Sequence, residues 1–163
     1  MASDLGVSVR NPKWTSYGAL EVDLFPRSKG DVELLMSVLE PLGKIEFIKD
    51  LGESPPHRSM KETVSDAKFL FNSERYWESH EVLEGLWRVL TGNEKKYIQG
   101  VILVCAAFVH HQKGEDEVAL GVLKRAEKQI RGSEGDHFGI DSGQLSANVE
   151  RTLNTSKFDL FEI

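Results

Sequence analysis

The spacing of polar and apolar positions changes period along the chain. In Ala19 to Phe25, Leu20, Val22 and Leu24 alternate with Glu21 and Asp23, the two-residue period of a half-buried strand. From Asp31 to Leu42 the period lengthens. Val32, Leu35 and Leu39 share a stripe, Ser28 or Asp31 can cap the start, and Gly43 ends the helix. Lys44 to Leu51, with Ile45 and Phe47 apolar, returns to a strand pattern. Strand, helix, strand in so short a span predicts a βαβ-like unit, whose strands pair in parallel through a right-handed crossover. Two strands alone make a marginal sheet, so this unit is expected to pack on another part of the chain or to pair with a second copy in a homodimer. Residues 1–16, polar and containing Asn11-Pro12, read as a loose arm.

Gly52 to Ser59, with Pro55-Pro56 and His57, reads as a linker. Everything after it has helical spacing. Ser59 and Glu62 form a capping-box pattern at the head of a helix expected over Met60 to Asn72. Further helices are expected over Arg75–Leu90, Glu94–Gln112, Asp116–Arg131 and Gln144–Leu153, the last after a glycine-rich loop, Gly132 to Gly143. Loops this short predict antiparallel neighbours. A weak echo links Ser73–Leu86 to Lys113–Ala126, similar to tetratricopeptide-like helix pairs, but two copies are fewer than a solenoid needs. The expected fold is α+β and mostly α. An antiparallel bundle of four to five helices occupies residues 60–163, behind an arm and a small βαβ-like unit in residues 1–52.

Composition narrows the function classes. The chain has 163 residues, 40% hydrophobic and 28% charged, which suits an ordinary globular domain. Its net charge of −6 argues against a generic nucleic-acid coat, because phosphate binding is driven by Lys and Arg. The longest apolar run, Val101 to Val109, is far shorter than a membrane span requires. It holds the single cysteine, Cys105, which reads as a buried small hydrophobe. With no signal-peptide pattern at Met1 to Lys13, a cytoplasmic location is expected.

The chemistry concentrates in one segment. His80, Leu83, Glu84 and Trp87 stand at i, i+3, i+4 and i+7, so they share a helix face with residues that must point into the bundle. A His and a Glu are therefore expected at or near a buried surface, where they need partners. Gln99 and His110 on the next helix are close to three turns apart and can supply one. Three readings follow. His80, Glu84 and His110 could bind a divalent transition metal, as imidazole and carboxylate on facing helices do elsewhere. The same residues with Glu81, Trp87 and Gln99 could line a small-ligand pocket, with His80 as acid or base and Glu84 orienting it. Or the cluster is a satisfied polar network that fixes packing, the commonest outcome for a His–Glu pair in a core. In that last case the domain is an interaction module for a protein or nucleoprotein partner.

His80-Glu81-Val82-Leu83-Glu84 is not the zinc-protease motif, which needs a second His where Glu84 stands. Tyr76, Trp77 and Trp87 read as core aromatics, although such rings also stack on bases or sugars. His137, alone in the glycine-rich loop, reads as a surface residue.

These residues carry a resemblance. Phe71-Asn72 followed by Tyr76-Trp77-Glu78, His80-Glu81, Leu83-Glu84 and Trp87-Arg88, then Gln99-Gly100, Ile102 and Ala106, then His110, is similar to the domain of unknown function number 309, over residues 63–131. The resemblance implies a compact all-helical domain whose polar hallmarks map onto His80, Glu81, Glu84, Gln99 and His110. It implies no activity, and it covers neither residues 17–51 nor the chain after Gly132.

Overall fold

The strand expected at Ala19–Phe25 is present over Leu20–Phe25, but its hydrogen-bond partner precedes it. In a computed structural model that describes residues 7–28, 30–45, 48 and 59–163, β1 (Ser8–Trp14) and β2 (Leu20–Phe25) form an antiparallel hairpin, with Ser8 opposite Phe25 and Trp14 opposite Leu20. The βαβ-like expectation is thus corrected. The first strand lies in the segment read as a loose arm. Pro12 hid it, because proline cannot donate to a ladder and is confined to edges and bulges. The register accordingly shifts between Arg10 and Lys13. Thr15 closes the loop, its Oγ1 accepting from Ala19 N at 2.9 Å. α1 (Gly30–Leu39) runs into a 3-10 turn at Glu40–Leu42, close to the expected helix. Residues 43–45 and 48 have no regular structure, and the remainder of the strand expected at Lys44–Leu51 lies outside the described residues.

The chain divides into two units, Met1–Pro55 and Pro56–Ile163. The second holds five helices, which are α2 (Met60–Asn72), α3 (Tyr76–Val89), α4 (Gly92–Gln112), α5 (Asp116–Ile130) and α6 (Ser142–Thr155). The Ser59–Glu62 capping box is formed from both sides. Pairs of contacts fix the packing. Ser79 on α3 meets Ala67 on α2 and Cys105 on α4, while Tyr76 meets Phe71 and Phe108. α2, α3 and α4 therefore run antiparallel in succession.

α4 is the central element. Tyr97, Ile98, Val101, Val104, Cys105, Ala107 and Phe108 are all fully buried, and they occupy more than one face of the helix. It reaches α5 at Gly100, where a Cβ would lie 2.4 Å from Ile130 Cγ2, so only glycine permits this approach.

The weak internal echo is structural. After α2 and again after α4 the chain turns through one left-handed residue, Glu74 (φ 60°) and Gly114 (φ 74°). The next residue then bonds back by the same pattern, Arg75 N to Leu70 O and Glu115 N to His110 O. The two helix pairs share one turn. Gln112 joins them, donating to Glu74 O at 2.9 Å.

The glycine-rich loop holds a hairpin that sequence reasoning missed. β3 (Asp136–His137) pairs with β4 (Ile140–Asp141) across Phe138 and Gly139, both at positive φ. Phenylalanine is not a turn residue, so the signal was absent. Beyond α6 the tail returns to the core. Phe161 packs on Phe71 and Phe108, Phe158 packs on Phe108, and Ile163 N donates to Asn72 Oδ1.

Candidate functional site: the outer face of α3

α3 has two unlike faces. Tyr76, Ser79, Leu83 and Leu86 are buried, which fixes the rotation of the helix and turns Trp77, Glu81 and Arg88 outward. His80 lies at the boundary, its side chain 16% exposed. Its Nδ1 is 3.3 Å from Glu81 Oε1 and its Nε2 is 4.0 Å from Glu84 Oε1. Glu84 also meets Arg88 Nη2 at 3.4 Å. The two carboxylates are half in water, so these contacts are loose and screened rather than a dry network.

Trp77 corrects the expectation of a core aromatic. It is 58% exposed, and its ring lies 5.3 Å from the His80 ring at 7° from parallel. Trp87, half-buried, packs against the core and carries Lys95 Nζ 4.2 Å over its ring.

Lys95 opens a second stripe. On α4, Lys95, Gln99, Leu103, Ala106 and His110 are half-buried and regularly spaced, with buried neighbours on both sides of Gln99, Leu103 and Ala106. The Trp87–Lys95 and Ser79–Cys105 contacts together set the level of the antiparallel pair. At roughly 1.5 Å per residue, Gln99 stands level with Glu84, Leu103 with His80 and Ala106 with Trp77. The sequence resemblance had named most of these positions without showing that they form one seam.

His110 stands apart. The helical rise carries it about 10 Å past His80 along the axis. There its Nδ1 pairs with Glu115 Oε2 at 2.6 Å, beside a matching His111–Asp116 contact of 2.7 Å. Among the described residues no group of three His, Cys, Asp or Glu side chains is placed to hold a metal ion. His80 and Glu84 are thus neighbours, whereas His110 belongs to the α4–α5 turn.

Two buried groups are chemically quiet. Burial pushes the Cys105 thiol up to about 12 from 9.0, with its hydrogen bond to the Ser79 side chain opposing it. A thiol held protonated is not a nucleophile. Burial also raises the Tyr76 hydroxyl well above its ordinary value, with Glu74 adding to the effect. His137, expected at the surface, instead stacks on fully buried Tyr97. Its position before Ile140 in a hairpin, invisible from sequence, turns it inward.

The fold and the motif define an antiparallel helical domain with a His–Glu helix at its surface. A family model described as "Domain of unknown function (DUF309)" matches residues 64–122, so over that stretch the chain is similar to that family. A conserved hypothetical protein from Thermus thermophilus, known from its crystal structure, is 34% identical; the match covers 55% of this chain and 94% of that one, with a TM-score of 0.49. An uncharacterized protein of Aquifex aeolicus (strain VF5) is 26% identical over 97 residues, 59% of this chain and 29% of its own length. The chain therefore spans under a third of that relative. Among the described residues no helix is long and apolar enough to cross a membrane.

Proposed function

We propose that the helical domain is an interaction module, and that the outer face of α3 receives a partner segment carrying positive charge. The observation that supports this reading best is Trp77, a large ring left mostly in water yet held flat against His80. An exposed, ordered aromatic is a typical anchor of a binding surface. Glu81 and Glu84 stand one and two turns along the same face, where they can accept from a guanidinium or ammonium whose alkyl stem lies on the indole. The His–Glu cluster then has two jobs, positioning Trp77 and supplying acceptors. The metal reading needs a third ligand within reach of His80 and Glu84, and the helical rise puts His110 too far along the axis.

Titration with short arginine- and lysine-rich peptides, and with acidic peptides of equal length, tests the proposal. Basic peptides should shift the Trp emission and bind the native protein, but not the Trp77→Ala or the Glu81→Gln, Glu84→Gln variant. Equal binding of both peptide classes, or of the native protein and the variants, would refute it. Elemental analysis provides the contrary arm. Near one equivalent of a transition metal, lost on His80→Ala, would restore the metal reading.

A further inference from the structure

Tyr97 of α4 and His137 of the β3–β4 hairpin stack with ring centroids 4.2 Å apart, 25° from parallel. Tyr97 is completely buried, and among the described residues its Oη has no hydrogen-bond partner. His137 Nε2 is buried and equally unpartnered among them. A buried polar atom without a partner gives up its hydrogen bonds to water and receives nothing in return. Native proteins keep few of them, and a side-by-side pair calls for a shared explanation.

The charged groups nearby are already engaged. Asp136 and Asp141 face each other across the hairpin, and each directs its Oδ1 to a backbone amide, Gly139 N at 2.7 Å and Gln144 N at 2.8 Å. Lys68 Nζ, which reaches over from α2, donates to Gly139 O. Asp136, His137 and Asp141 are not placed as a metal-holding group. The missing partner is therefore small and neutral. It must accept a proton from one side and donate one to the other, since a phenol hydroxyl donates and an unprotonated imidazole nitrogen accepts. Burial, with the negative charge of Asp141 and Asp136, raises the hydroxyl's pKa and so keeps it a donor.

We propose that Tyr97 Oη and His137 Nε2 hold one buried water molecule, which receives the tyrosine proton, donates to the imidazole nitrogen, and so fastens the β3–β4 hairpin to α4. One donor and one acceptor, both buried and carried on stacked rings, supply the minimum of two polar partners that an ordered internal water needs. The hairpin's other anchors include the Lys68 contact, the insertion of Ile140 into the core, the packing of Phe138 against it and the Ser142 Oγ bond to Gly135 O.

The sign of one mutation separates the alternatives. If the water is there, Tyr97→Phe removes a bond from it and lowers the melting temperature. If the hydroxyl is unpaired, the same change removes a burden and raises it. His137→Phe keeps the stack while deleting Nε2, and in that background Tyr97→Phe should have a smaller effect, because the bridge is already broken. A crystal structure of the unmodified protein that shows ordered solvent should place a water within about 3.2 Å of both atoms. A raised melting temperature, additive effects of the two changes, or no density between the two atoms would each overturn the proposal.

Discussion

The Trp77 indole and the His80 imidazole lie face to face, 7° from parallel, on the water-facing side of α3. Three residues apart on a helix, they can stack only because the buried positions Tyr76, Ser79 and Leu83 fix how the helix is rotated. A core tryptophan replaced by alanine costs about 3–5 kcal/mol. Trp77→Ala should instead change stability by no more than about 0.5 kcal/mol in urea unfolding, as expected of an exposed position. A loss on the scale of a core substitution would mean that the ring serves packing, not recognition.

Gly100 on α4 lies directly against Ile130 on α5, with no room for a Cβ. Gly100→Ala should destabilise the domain by about 1–3 kcal/mol, the usual cost of overpacking. Removing the opposing Cγ2 should relieve part of this. In a double-mutant cycle Gly100→Ala with Ile130→Ala should be less harmful than the sum of the two changes. Additive losses would show that the strain is relieved elsewhere.

Glu74 adopts a left-handed conformation in the turn that Gly114 makes in the second helix pair. That conformation costs a non-glycine residue about 1–2 kcal/mol. Glu74→Gly should therefore raise the melting temperature, unless the side chain's own contacts outweigh the backbone gain. Gly114→Ala should lower it. Thermal unfolding of the two variants compares the turns directly, and a destabilised Glu74→Gly would show that the side chain matters more than the backbone.

Alkaline pH should weaken the fold from one side only. The Cys105 thiol is pushed up to about 12, from 9.0, by burial. Between these values the unfolded chain binds fewer protons than the folded one, so unfolding releases protons and stability falls as pH rises. Tyr76 and Tyr97, also raised, act in the same direction at higher pH. Urea midpoints should be flat up to about pH 9 and then decline. At pH 8 iodoacetamide should modify Cys105 only as fast as the protein opens. Rapid labelling of the folded protein would contradict the buried thiol.

The helical half of the molecule was legible because helix signals are local. Ser59 with Glu62 marked the start of α2, and the apolar stripes of the later helices placed their ends within a residue or two. The front end was misread for a physical reason. A strand containing Asn11-Pro12 breaks the alternation that identifies strands, and its pairing with β2 depends on a bulge. The candidate site was legible in its residues but not in its arrangement. The spacing put His80, Glu84 and Trp87 on one face, as found. It could not say that the face turns half outward, because that depends on which neighbours α2 and α4 supply. Nor could it show His110 at the far end of the seam, since periodicity gives the angle around a helix and not its level beside another.

α4 has consequences for motion as well as shape. A helix clasped on several sides has no route by which its middle can loosen while the remainder of the helical unit stays folded. Its amides from Val101 to Phe108 should therefore exchange with solvent only when the whole unit opens, and all at one rate. The outer edge of α3, which keeps one side in water, should exchange by local fraying well before that. The candidate binding face would then sit at the shifting margin of an unyielding centre, free to adjust to what it meets without loosening the helix behind it.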